Sequence, residues 1–183
     1  MLIAKQKLKE NIAEYILYMY QLEDVIRAYD MDIEAIMENY VRPQLPDESI
    51  IGEYREWYSD IIQKMKVQKI QKIGHLISTQ DILVELSYLH NTLLNITRDQ
   101  KYLGVFEVSN KFIDEFKERS NLKDKNHIEI AFHAMYMKLL LKLQKKEIST
   151  ETEEGFDAMR IMLAYLSQSY NKMKSGDLDF LKN

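Results

Sequence analysis

Cysteine is absent from this 183-residue chain, which also carries only two prolines and five glycines. The missing cysteine excludes disulfides, cysteine-ligated zinc and thiol catalysis together, and it fits a reducing compartment. Scarce glycine and proline argue against sheets, which need many tight turns, and in favour of long helices joined briefly. No apolar run approaches the about 20 residues a membrane-spanning helix requires. The longest segment without Asp, Glu, Lys or Arg extends only from Leu86 to Thr97. The opening MLIAKQKLKENIAE lacks the apolar core and cleavage site of a signal peptide. A net charge of −4 speaks against a general binder of phosphate backbones. Glycine-rich phosphate loops and Gly-x-Ser-x-Gly elbows do not occur. These absences lead to the expectation of a cytoplasmic protein with no nucleic-acid and no membrane partner.

What is present reads as all-α: a single-domain bundle of about six or seven helices with short connections over residues 1–176, followed by a loose tail, 177–183. A chain of this size buries roughly 70% of its unfolded surface, so it needs no covalent staple. The stretch Ile128–Leu143, IEIAFHAMYMKLLLKL, is apolar around most of its circumference and reads as a central helix packed on several sides. Ile128, Phe132, Met135, Leu139 and Leu143 form its main apolar face at helical spacing.

The first helix is expected from about Lys5 to Tyr29, with Ile12, Tyr15, Ile16, Met19, Leu22 and Ile26 on one face. Glu23 falls within that face, and Arg27, one turn on, is its expected partner, because a buried carboxylate must be paired or protonated. The segment KENIAEYILYMYQLEDVIRA with the acidic DIEAI after it resembles an uncharacterised family of helical bacterial proteins, a domain of unknown function of similar length. The likeness lies mainly in the first forty or so residues. It implies an all-α cytoplasmic protein and lends no site residues.

Asp32 is the expected N-cap of a short helix, Ile33 to Val41, which Arg42-Pro-Gln-Leu-Pro46 ends. Asp47 or Ser49 caps the third helix, whose face is Ile50, Tyr54, Trp57, Ile61 and Met65. Its acids Glu53, Glu56 and Asp60 have the spacing that holds magnesium in some helical nucleotide pyrophosphohydrolases, but no second acidic pair follows, and a solvated face explains them. Lys64, Lys66, Lys69 and Lys72 complement the dipole at that helix's end. Gly74 marks a break, and Thr79 is the expected cap of a fourth helix to about Arg98. A fifth runs from about Gln100 to Arg119. Asn126 caps the central helix, Thr150 and Glu153 have capping-box spacing for the last one, and Gly176 stops it. In the tail, Leu178, Phe180 and Leu181 are able to dock on a neighbour.

Two residue sets invite a functional reading. Glu23, His90, Glu129 and His133 come from three helices, and together they would suit zinc or iron in a bundle core. Their spacing departs from the Glu-x-x-His of di-iron bundles, and His90 alone is more often a core histidine with one hydrogen bond. Tyr15, Tyr18, Tyr54 and Trp57 would line a small-ligand pocket, since each offers an apolar body with a polar tip. The leading expectation is a non-enzymatic protein-binding or self-associating (homodimeric) protein, resting on the missing catalytic motifs and on 12 tyrosines and 10 methionines. A metal-dependent bundle enzyme and a small-ligand binder are the alternatives. The sequence names no cofactor.

Overall fold

A computed structural model describes residues 2–45 and 47–177. Its described residues form eight α-helices, one more than the upper expectation, and no strand. The extra helix arises at Asn11. Apolar periodicity runs straight through this residue, yet its backbone is extended (φ −150°, ψ 97°) and its Oδ1 accepts from the amides of Ala13 and Glu14. An asparagine that satisfies two orphan amides starts a new helix rather than continuing the old one. The expected Lys5–Tyr29 helix is therefore two: α1 (Leu2–Glu10) and α2 (Ile12–Ala28).

Asp32 caps α3 (Ile33–Ile36) as anticipated. That helix loosens into a π turn, Met37–Val41, and a 3₁₀ turn, Arg42–Gln44. Asp47 caps a 3₁₀ turn, Glu48–Ile50, that leads into α4 (Ile51–Val67). The break after α4 begins at Gln68, with Lys69 and Gly74 both at positive φ. The next helix, α5, spans Ile77–Asn91 and relaxes into a second π turn, Thr92–Ile96. Thr79 is not its cap: it is buried within the first turn and its hydroxyl has no partner among the described residues. Helix α6 (Gln100–Arg119) matches expectation and is capped by Asp99. Asn126 caps α7 (His127–Leu143) in a full capping box with Glu129. Ser149, one residue before the expected Thr150, caps α8 (Thr150–Ser175), and Gly176 closes it at φ 79°. Leu178, Phe180 and Leu181 lie outside the described residues.

Helix α2 organises two cores. At about 100° per residue, Ile12, Ile16 and Tyr20 centre near about 40°, while Met19, Leu22 and Ile26 centre near about 310°. The first trio packs into the larger core with α5, α6, α7 and α8; the second packs into a smaller core with the α3 segment, α4 and Leu76. The single broad face read from the sequence is thus two faces with different neighbours. Glu23, at about 20° on the same scale, lies on the seam between them.

Helix α7 touches α2, α5, α6 and α8. Ile128, Ile130, Ala131, Phe132 and Ala134 are completely buried, so most of its first half is enclosed. Its second half is not: Leu143, expected on the buried face, is 61% exposed, and Met137 45%.

Candidate functional site: the Glu23–His75 cleft

Burying Glu23 without partners would be costly, and the chain meets this cost from the connector between α4 and α5. The carboxylate is wholly buried. Its Oε2 lies 2.6 Å from His75 Nδ1, and its Oε1 accepts from the amide of Leu76 at 3.0 Å. The expected partner, Arg27, stands further off at 4.0 Å. Its guanidinium is occupied with the carbonyls of Ile70 and Gly74 and with Asp24. Glu23 and Arg27 together fasten the Ile70–Leu76 connector to α2.

The same contacts orient an imidazole. A carboxylate can only accept, so His75 Nδ1–H donates to it, and Nε2 is left without a protein partner among the described residues. The ring stacks on Tyr20, with centroids 3.6 Å apart and planes at 15°. Tyr20 is in turn held edge-on by Tyr136, whose hydroxyl donates to Asp24 at 2.6 Å. Burial, then Glu23 and Glu129, pushes the Tyr20 phenol well above its ordinary range, so it serves as a neutral stacking surface.

His75 opens onto a cleft of about 210 Å³ between α2, α5 and α7, lined also by Gln80, Val84, Lys125, Asn126, Glu129 and His133. His133 faces His75 with ring centroids 6.0 Å apart. Burial, then the neighbouring His75 and Lys125, lowers the His133 pKa below the ordinary imidazole value, against a smaller opposing pull from Glu129. An imidazole oriented by a buried carboxylate and open at its other nitrogen is equipped to take a proton from a bound molecule or return one. The second imidazole lies close enough to touch the same molecule.

The four residues read from the sequence as a metal set do not converge. Glu129 and His133 line this cleft, and Glu23 lies behind it, but His90 does not line it. His90 occupies the far end of α5, about 10 Å along the axis from Leu83 at a 1.5 Å rise per residue. There its Nδ1 meets the Tyr102 hydroxyl at 2.7 Å, with Phe106 and His127 against its ring. Glu129 is committed to Lys125 and to the Asn126 amide. No group of three or more His, Asp or Glu among the described residues is arranged to hold a metal ion.

The aromatic set divides as well. Tyr15 and Trp57 line a separate cleft of about 270 Å³ with Lys5, Leu8, Met19, Asp60 and Lys64. Tyr18 stacks on Trp57 at 6.4 Å and packs with Tyr54 into the smaller core, outside that lining. Burial pushes the Tyr18 phenol up to about 12, helped by its neighbours Tyr40 and Tyr54. Of the α4 acids, Asp60 pairs with Lys64 at 2.6 Å, and Glu53 and Glu56 point to solvent.

Sequence reasoning missed His75, Tyr20, Lys125, Asn126 and Gln80 as site residues. One signal was available: a carboxylate on an apolar face needs a close partner, and His75 is one of four histidines, placed beside the glycine of the break.

A family model described as a domain of unknown function (DUF4924) matches residues 1–177, and the chain belongs to that family. The match therefore extends over the whole helical array and is not confined to the first forty residues. No curated protein and no solved structure matches the chain.

Proposed function

We propose that the protein binds a small polar molecule in the cleft between α2, α5 and α7, with His75 as the group that exchanges a proton with it. The carrying observation is the Glu23–His75 pair: a wholly buried carboxylate orients an imidazole that lines a cleft beside a second imidazole. Purely structural fastening of the connector is already supplied by Arg27 on two carbonyls. This revises the small-ligand reading by moving it from Tyr15, Tyr18, Tyr54 and Trp57 to the histidine cleft. Whether the exchange ends in turnover or in binding alone depends on the ligand. The lack of cysteine supports a reducing, cytoplasmic setting, and no helix among the described residues is long and apolar enough to cross a membrane.

The test is a screen of small polar compounds against ¹⁵N-labelled protein, read at the imidazole nitrogens. A ligand of the cleft moves His75 and His133 together and leaves His90 in place, and His75→Gln abolishes the response. If no compound moves the pair, the reading is wrong.

A second reading, self-association, is favoured by one feature. Ile77, Val84 and Tyr88 are 54%, 69% and 69% exposed and share one face of α5 at the spacing of a helix-packing seam. Light scattering at rising concentration tests it: a dimer that Val84→Asp dissolves supports the reading, and a monomer throughout removes it.

A further inference from the structure

Each carboxylate oxygen of Glu23 and Glu129, beside the histidine cleft, already accepts one hydrogen bond. Glu129 Oε1 accepts from Lys125 at 2.7 Å and its Oε2 from the Asn126 amide at 3.2 Å. Glu23 accepts from Leu76 and His75 through its two oxygens. The Asn126 carbonyl oxygen is committed to the amides of Ile128 and Glu129 and to the Ser87 hydroxyl, which leaves its amide nitrogen with donors to spare. Lys125 gives one contact to Glu129 and keeps two ammonium protons. Gln80 uses its amide nitrogen on the His75 carbonyl and retains one N–H. The unused N–H donors of the lining come from three separate segments: the α4–α5 connector with α5, the loop before α7, and α7 itself.

Resting on the reading of this cleft as a ligand site, we propose that its ligand carries an oxyanion group, a phosphate or a carboxylate, seated between His75 and His133 with Lys125 and Asn126 at its rim. The volume of about 210 Å³ lies below the about 300–1,000 Å³ of drug-sized pockets, so the site takes a small head group. With both imidazoles neutral, the charged groups facing it are Glu23, Glu129 and Asp24 against Arg27 and Lys125, one negative charge in excess. An anion is therefore held together with a proton, which turns an imidazole into its counter-charge. A monoprotonated phosphate or a carboxylic acid passes its O–H proton to an open imidazole nitrogen; the O–H bond breaks, an N–H bond forms, and an imidazolium–oxyanion pair remains. From the deprotonated ligand, the same pair forms by uptake of a solvent proton. Binding is thus linked to protonation, and affinity for a fully ionised anion rises as pH falls.

The experiment uses the full chain, ¹⁵N-labelled, with inorganic phosphate, acetate and glycerol as separate probes at pH 6, 7 and 8. The expected result is a saturable movement of the His75 and His133 resonances with phosphate or acetate, weakening by up to about tenfold per pH unit on the alkaline side. Lys125→Gln, exposed and remote from the cores, weakens binding several-fold without changing the fold. A response to phosphate alone assigns the group to phosphate, and one to acetate alone assigns it to carboxylate. Movement with glycerol but with neither anion overturns the oxyanion assignment while leaving the cleft a ligand site. Should none of these probes nor any compound of the wider screen move the pair, both readings fall. An anion response that His133→Gln and Lys125→Gln leave unchanged also overturns the assignment.

Discussion

His90 sets a pH dependence that can be worked through from its surroundings. The ring is 4% exposed, and burial, with His127 beside it, lowers its pKa from 6.5 to about 4. In the unfolded chain the imidazole regains its ordinary value, so on acidification the unfolded state takes up this proton first. Stability must then rise with pH where the two states differ. His90's contribution is complete above about pH 6.5 and is lost progressively as pH falls through about 4. At about 1.4 kcal/mol per pH unit, the whole effect is about 3 kcal/mol, of which about 2 kcal/mol is lost between pH 7 and pH 5. The assay is urea unfolding at those two pH values for the wild type and for His90→Leu. The variant is less stable at pH 7, because the Tyr102 hydroxyl loses its partner at 2.7 Å. Its decline toward pH 5 is shallower by about 2 kcal/mol. Carboxylates and His133 titrate in both proteins and cancel in the comparison. Equal declines would refute the reasoning, since the burial of His90 would then have no consequence for its proton.

Other perturbations follow from the same contacts. Glu23→Ala leaves the His75 and Leu76 donors without their acceptor and costs about 3 kcal/mol or more in chemical denaturation. Asn11→Ala removes the cap shared by the Ala13 and Glu14 amides and costs about 1–2 kcal/mol, with faster hydrogen exchange at the start of α2. A side chain at Gly155 would place its Cβ 2.9 Å from Phe112 Cδ1. Gly155→Val therefore wedges α6 from α8 and lowers stability by about 1–3 kcal/mol, although valine is the better helix former. Phe132→Ala empties a fully buried site and costs about 3–5 kcal/mol by the same measurement.

Features governed by local chemistry were legible in the chain. Asp32 and Asn126 cap helices because their short side chains reach the next free amides, and Gly176 ends α8 because it accepts a left-handed conformation. None of these needs a distant residue. The Asn11 break was hidden because the apolar pattern continues across it, and packing pattern outweighs one polar residue in any periodicity. The π turns at Met37–Val41 and Thr92–Ile96 end helices that the pattern would have extended. Among the candidate site residues, the buried position of Glu23 was readable, but not its partner, because His75 lies 52 residues away. The metal quartet does not meet for an axial reason: His90 shares a helical face with Leu83 yet lies two turns further along it, against Tyr102, Phe106 and His127.

The double-sided character of α2 also has a bearing on how the chain grows. Every buried residue of the smaller core falls between Met19 and Leu76, whereas the larger core needs α2 together with residues as late as Tyr170. During synthesis the first set is complete while α6, α7 and α8 do not yet exist, and contacts of short sequence separation form fastest. One side of α2 can thus be sheltered early while Ile12, Ile16 and Tyr20 stay open to water until the C-terminal helices emerge. Over that interval the nascent chain presents an apolar strip whose natural cover is its own unborn half. Glu23 and His75 both belong to the early-made part of the chain, whereas His133, which faces His75 across the cleft, arrives only with α7.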